Sequence, residues 1–148
     1  MKTTTNQRPA DYVVCMLTEG KCALSASCLR SKMFAANVDE KQTYMHMLNP
    51  YALADGLSGT PCTYYRSAQK QQLARGMLHI FDNVPRKIYP EVRRAVMDCF
   101  SSYRQFYYCR KGEKLISPSA QNAVMEVFKR YRLDTEHLFD AYEEGFDW

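Results

Sequence analysis

Residues 105–118 read Gln105-Phe106-Tyr107-Tyr108-Cys109-Arg110-Lys111-Gly112-Glu113-Lys114-Leu115-Ile116-Ser117-Pro118, and their reading decides the fold class. Aromatic and branched residues flank a turn at Lys111-Gly112-Glu113, the pattern of a β-hairpin near 105–116. Ser117 then offers a helix N-cap, and Pro118 suits the first helical position because its missing N–H would be unpaired there anyway. The stretch predicts one small β element among helices. The expected fold is therefore mainly α with a small β component, an α+β class.

Helical periodicity extends outward from this stretch. Leu73, Met77 and Phe81 recur at helical spacing and predict an amphipathic helix over 66–82, ended by Asn83-Val84-Pro85. Pro90 opens a second predicted helix, with Val92, Val96, Cys99 and Tyr103 on its apolar stripe. Val124, Val127, Phe128 and Tyr131 mark a third. Asp134 or Thr135 caps a short last one that carries Leu138, Phe139 and Tyr142 and stops at Gly145. Upstream, Gly56-Leu57-Ser58-Gly59-Thr60-Pro61 is the densest loop signal. Residues 43–48 read as a short strand stopped by Asn49-Pro50, and 22–36 as a helix. The organisation expected is one domain over 1–148. A cysteine-rich subregion at 11–65 packs on a helical subregion at 66–148 that contains the hairpin.

A chain of 148 residues is long enough to bury a real core, and an aromatic share of 13% argues against disorder beyond the first ten residues. No apolar run approaches the ~20 residues that cross a bilayer, so no membrane partner is expected. The start, Met1-Lys2-Thr3-Thr4-Thr5, lacks the apolar segment of a secretory signal, which points to the cytoplasm if Met1 is the native start. Thiols there stay reduced or bind metal. The net charge of +4 conceals an asymmetry. Residues 66–132 carry 14 Lys and Arg against 5 acids, and residues 133–148 carry 6 acids and no base. The middle is suited to polyanions or to its own acidic tail.

Cys15, Cys22 and Cys28 fall within 14 residues, with six and five residues between them, and thirty-three residues separate Cys28 from Cys62. Four thiolates satisfy tetrahedral zinc or the outer corners of an iron–sulfur cluster, and both accept a distant ligand returned by the fold. Lys21, Arg30 and Lys32 nearby favour thiolate over thiol. The tight C-x₂₋₄-C knuckle usual in structural zinc sites is missing, so the two metals are not separated by spacing. Inert buried cysteines are the competing reading. Cys99 and Cys109, on predicted core stripes, are expected to be core residues.

A second cluster is basic and aromatic. Arg86, Lys87, Arg93, Arg94, Arg104, Arg110, Lys111 and Lys114 are interleaved with Tyr103, Phe106, Tyr107 and Tyr108. Cations follow a phosphate backbone and aromatic faces stack on unpaired bases, so this mixture points to nucleic acid or another acidic partner. A solvated helix face explains it equally simply. Phosphate-binding glycine loops, zinc-protease and nucleophile-elbow motifs are all missing. Of the three histidines, only His137, with Asp140 and Glu144, falls at spacings that would share one helix face.

Several short motifs extend these clusters along the chain: Cys28-Leu29-Arg30, Asn49-Pro50, Cys62 with Tyr64, Tyr107-Tyr108 with Arg110, Gly112-Glu113, Ile116-Ser117-Pro118 with Gln121, and Phe139-Asp140 with Tyr142 and Trp148. In these the chain resembles an uncharacterised bacterial family with a domain of unknown function. The resemblance implies no activity and no catalytic residues. It does imply that Cys15, Cys22, Cys28 and Cys62 form one set, with Cys15 set apart by its wide interval. The resulting expectation is a non-enzymatic cytoplasmic binding protein. A structural four-cysteine site holds zinc or an iron–sulfur cluster, and the basic aromatic surface, with Tyr107 at its centre, meets nucleic acid or an acidic protein. A small thiol or iron–sulfur redox protein and a metal-free interaction module are the alternatives. Oligomeric state is not legible in the sequence.

Overall fold

The computed structural model describes residues 8–17, 21–36, 43–54 and 62–148. The loop expected at 56–61 lies outside them. The chain divides into two compact units. One contains 71–145, and the other contains the described part of 8–70 together with the last three residues, Phe146–Trp148.

The larger unit is built around a strand. β1 (Gln71–Arg75) is the middle of a three-stranded antiparallel sheet, flanked by β2 (Leu115–Ile116) and β3 (Ala141–Gly145). The register aligns Ala74 with Ile116 and Tyr142, and Leu73 with Glu143. Adjacent Leu73 and Ala74 point to opposite sheet faces, yet both are buried, so the strand is covered on both sides. Three helices complete the unit: α3 (Tyr89–Met97), α4 (Tyr103–Arg110) and α5 (Pro118–Arg130). To keep chain order, α1 (Leu29–Ala36) and α2 (Pro50–Ala54) are the helices of the other unit. Five helices and one small sheet among the described residues make this an α+β protein.

Local chemistry accounts for the helix starts. Pro90 lies in the first turn of α3, which buries Val92 and Val96. Ser117 accepts a hydrogen bond from the N–H of Ala120 at 3.3 Å, with Pro118 opening α5. Val124, Val127 and Phe128 form the buried stripe of α5. Inside this interior Gln121 is one of few buried polar side chains. Its amide donates to the carbonyls of Gln72 at 3.0 Å and Ile116 at 2.9 Å, pinning α5 to two strands at once.

Several expected elements of the larger unit are different in the structure, and the second predicted helix ends at Met97, which leaves Cys99 beyond it and Tyr103 in α4. The segment expected to be helical over 66–82 contains β1 and then a series of turns. Leu73, Met77 and Phe81 are all buried, but their spacing of four arises because the chain turns sharply at Gly76, not because it coils. Good helix formers such as Gln71, Gln72 and Arg75 are overridden by strand pairing on both edges. The hairpin expected near 105–116 is also replaced. Its first arm is α4, which buries Phe106 and Cys109 three residues apart, and only Leu115 and Ile116 are strand. Ser102 caps α4 by accepting from the N–H of Gln105 at 3.1 Å, and Gln105 Oε1 accepts from the N–H and hydroxyl of Ser101. This reciprocal arrangement is a capping-box variant, a helix signal in the sequence that the aromatic run obscured. Lastly, the expected terminal helix is β3 preceded by turns, so His137, Asp140 and Glu144 share no helix face. Asp134 accepts from the N–H of Glu136 at 2.9 Å in a local turn instead of capping a helix.

Two bridges between single residues organise the smaller unit. Val14 pairs in parallel with Met47 and Cys28 antiparallel with Ser67. The expected strand at 43–48 is reduced to the first of these bridges. The expected helix over 22–36 is a 3-10 turn at Ser25–Ser27 followed by α1. The chain's last residue returns here, with the Trp148 ring edge-on to Tyr12 at 5.2 Å. No helix among the described residues is long and apolar enough to cross a membrane.

Gly76 has φ +74°, and a Cβ there would lie 2.5 Å from Asp140 Oδ2. That carboxylate is held by the N–H of Leu78 at 3.0 Å, and the N–H of Asp140 bonds the Gly76 carbonyl at 3.0 Å. Gly112 has a similar φ of +75°, but its Cβ would meet only the flexible Arg75 Cγ at 3.3 Å. Both Gly→Ala changes carry the left-handed penalty of about 1–2 kcal/mol, and only Gly76→Ala adds the clash. Urea denaturation is expected to show a distinctly larger loss for Gly76→Ala than for Gly112→Ala. Equal losses would mean that Asp140 gives way freely.

Candidate functional site

Four different backbone segments bring the four N-terminal cysteines to one place in the smaller unit. Cys15 follows the Val14 bridge, and its N–H bonds the Arg30 carbonyl at 3.2 Å. Cys22 starts a turn in which its carbonyl accepts from Ser25 at 3.1 Å. Cys28 is buried in the second bridge, just ahead of α1. Cys62 opens a turn closed by the N–H of Tyr65 at 3.0 Å. Each thiol thus hangs from backbone fixed by hydrogen bonds. All four line a single cavity of about 350 Å³ whose remaining wall is mainly apolar, with Leu17, Leu24, Leu48 and Leu53 among its residues.

Their chemistry is coupled. Burial raises the Cys15 thiol, the backbone N–H of Leu17 opposes this, and Cys28, Cys22 and Cys62 each raise it further. Negative charge on any of the other sulfurs therefore disfavours charge on Cys15. The thiolate-promoting effect expected from Lys21, Arg30 and Lys32 is not what governs Cys15. As placed, no group of three or more His, Cys, Asp or Glu side chains among the described residues is arranged to hold a metal ion. The sulfurs surround a volume and do not converge on a point.

Arg30, expected to favour thiolate, braces the cavity instead. Its Nε donates to the Tyr64 carbonyl at 3.0 Å, a terminal nitrogen donates to the Val13 carbonyl, and its guanidinium lies 4.8 Å from the Tyr12 ring centroid. It ties the segments bearing Cys15 and Cys62 to the start of α1. Conserving charge alone would not keep this fork of bonds. Tyr65, also lining the cavity, donates to the carbonyl and hydroxyl of Ser27 at 3.3 and 3.2 Å.

The nine residues expected to form a basic surface meet different partners. Arg93 donates to the Tyr107 hydroxyl at 2.7 Å. Arg110 turns over Phe81, 5.7 Å from its centroid, and donates to the Leu78 carbonyl at 3.4 Å. Arg94 sits in a depression with Glu91 and Asp98. Arg86, Lys87 and Lys111 are exposed. Arg104 and Lys114 do come together, at Tyr108. Among the histidines, His79 meets Asp82 at 2.7 Å on the surface, His46 is exposed, and His137 has φ 58°.

The two remaining cysteines lie apart from the cavity. Cys99 is half-buried, and its thiol donates to the Ala95 carbonyl at 3.4 Å. Cys109 is in the core of the larger unit, and burial pushes its thiol up to about 11 despite the opposing charge of Lys114. A folded value above the unfolded one means that the neutral thiol favours folding. That stabilisation is complete below the ordinary value of 9.0 and is lost as pH rises towards about 11. Urea titrations of wild type and Cys109→Ala are expected to differ by a constant amount up to about pH 9. Above it the gap narrows, and a gap independent of pH to about 11 would contradict the burial.

The chain matches no curated protein and no solved structure. One family model does match it, and over residues 1–148. The cysteine set, the α+β fold and the terminal Trp148 are therefore features of a chain that belongs to DUF6078, a family of unknown function.

Proposed function

We propose that the protein is a binding protein whose four-thiol cavity holds an iron–sulfur cluster in a structural role. The observation that carries this reading is the gathering of Cys15, Cys22, Cys28 and Cys62 around one cavity of about 350 Å³. The sequence carries no tight C-x₂₋₄-C knuckle of the kind usual in structural zinc sites, which favours a cluster over a single ion. A cluster instead takes thiolates on the outer corners of a larger body, and an apolar wall shields it from solvent. Cationic charge at the centre also offsets the mutual repulsion that raises Cys15. The cysteines come from segments far apart in sequence, so the bound group cross-links the unit.

The test is elemental and acid-labile sulfide analysis with a visible spectrum, on the full chain purified and reconstituted without oxygen. Iron and sulfide in matched amounts with a visible band are expected. Cys28→Ser is expected to lose the band and to melt at lower temperature. Its counterpart Cys99→Ser is expected to keep both. Stoichiometric zinc without sulfide would replace the cluster by a single ion. Folded, metal-free protein after reconstitution would overturn the reading.

A further inference from the structure

We propose that a polar depression at the start of α4 is a phosphate subsite for single-stranded nucleic acid. It belongs to the larger unit and does not depend on the four thiols. The depression, about 520 Å³, is lined by Ser101, Ser102, Arg104, Gln105, Tyr108 and Lys114. Two of these six are cations and none is an acid. Arg104 has its guanidinium carbon 5.5 Å from the Tyr108 ring centroid, and Lys114 has its ammonium 5.8 Å from the same centroid. The quadrupole of one ring thus attracts both cations. Among the described residues neither cation has a carboxylate partner: the ion pairs there are Arg75–Glu143, His79–Asp82 and Lys129–Glu126. Nε of Arg104 is engaged, donating to the Tyr108 hydroxyl at 3.0 Å, so the guanidinium is oriented while its terminal nitrogens stay available. An anion in the depression meets both of the cations that line it.

An exposed aromatic ring one position before Arg104 on the same helix identifies the kind of anion. Tyr103, next to Arg104 in the first turn of α4, is 59% exposed. Its ring is fixed from behind by Tyr107, centroids 4.6 Å apart, and its hydroxyl donates to that of Tyr107 at 2.9 Å. The Tyr107 oxygen also accepts from Arg93 at 2.7 Å. These bonds lower the Tyr107 hydroxyl, the Tyr103 hydrogen bond most, with the charges of Arg93 and Arg110 adding to it and burial opposing. A pre-ordered aromatic face beside paired cations suits an unpaired base linked to a phosphodiester; an acidic peptide would leave the ring unused.

The test is fluorescence anisotropy of a labelled single-stranded oligothymidylate with the full chain over a range of salt. Wild type is expected to bind, with affinity falling as salt rises. Arg104→Gln with Lys114→Gln is expected to weaken binding about tenfold. The logarithmic salt slope should become shallower by about 0.7 for each phosphate that the variant no longer neutralises. The charge-matched control Arg86→Gln with Lys87→Gln is expected to weaken binding much less, at an unchanged melting temperature in both. Should the first pair fail to fold, Lys114→Gln alone is expected to give a smaller loss in the same direction. Equal losses in the two doubles would reduce the effect to net charge and overturn the subsite. So would absence of binding, or stronger competition by polyglutamate than by unlabelled oligonucleotide, which would assign the cations to an acidic protein.

Discussion

The larger unit depends on one contact, the packing of the Asp140 carboxylate over Gly76. A left-handed residue ends β1 and sends the chain directly into the buried turns containing Met77, Ile80 and Phe81. The same contact sets the entry of β3, because Asp140 bonds the Gly76 carbonyl and receives the Leu78 N–H. With that corner fixed, five residues of β1 fall into register with five of β3. Arg75 then reaches Glu143 through two bonds of 2.9 and 3.0 Å, a bidentate pair that joins the basic middle of the sequence to its acidic end. Gln121 completes the arrangement from the helical side. A glycine without a side chain and an amide with two donors accomplish what neither propensity nor hydrophobic pattern specifies.

The smaller unit is held by different means. Isolated bridges, the fork of bonds from Arg30 and the return of Trp148 onto Tyr12 replace continuous sheet. Such a unit has little regular structure to bring distant segments together, and side-chain bonds such as those of Arg30 to the Tyr64 and Val13 carbonyls supply links where continuous sheet is lacking.

The two candidate sites were unequally legible. The thiol set was readable because cysteine is rare enough that clustering is informative, even without a regular spacing. What spacing did not convey was separation in space: whether sulfurs meet at a point or surround a volume depends on turns at Cys22 and Cys62. The basic set was readable only as composition. Residues spread over positions 86–114 meet different partners, which their order along the chain does not convey. Arg110 covers Phe81 and Arg94 faces two acids, while Arg104 and Lys114, ten positions apart, meet at one ring.

The sequence by itself determined what short-range chemistry controls: the helix starts at Pro90 and at Ser117-Pro118, the α+β class, and the burial of Val124, Val127 and Phe128. Tertiary structure alone decided which segments became strands. Residues 71–75 have a helical composition and 105–110 a strand-like one, yet each adopts the opposite state. The first is enclosed by partners lying roughly forty and seventy positions further on. The second is freed to coil by its Ser102 cap and its two core residues, Phe106 and Cys109. Hydrogen-bond pairing between remote strands satisfies every backbone group of a segment at once, and no local preference of about a few tenths of a kcal/mol per residue outweighs that.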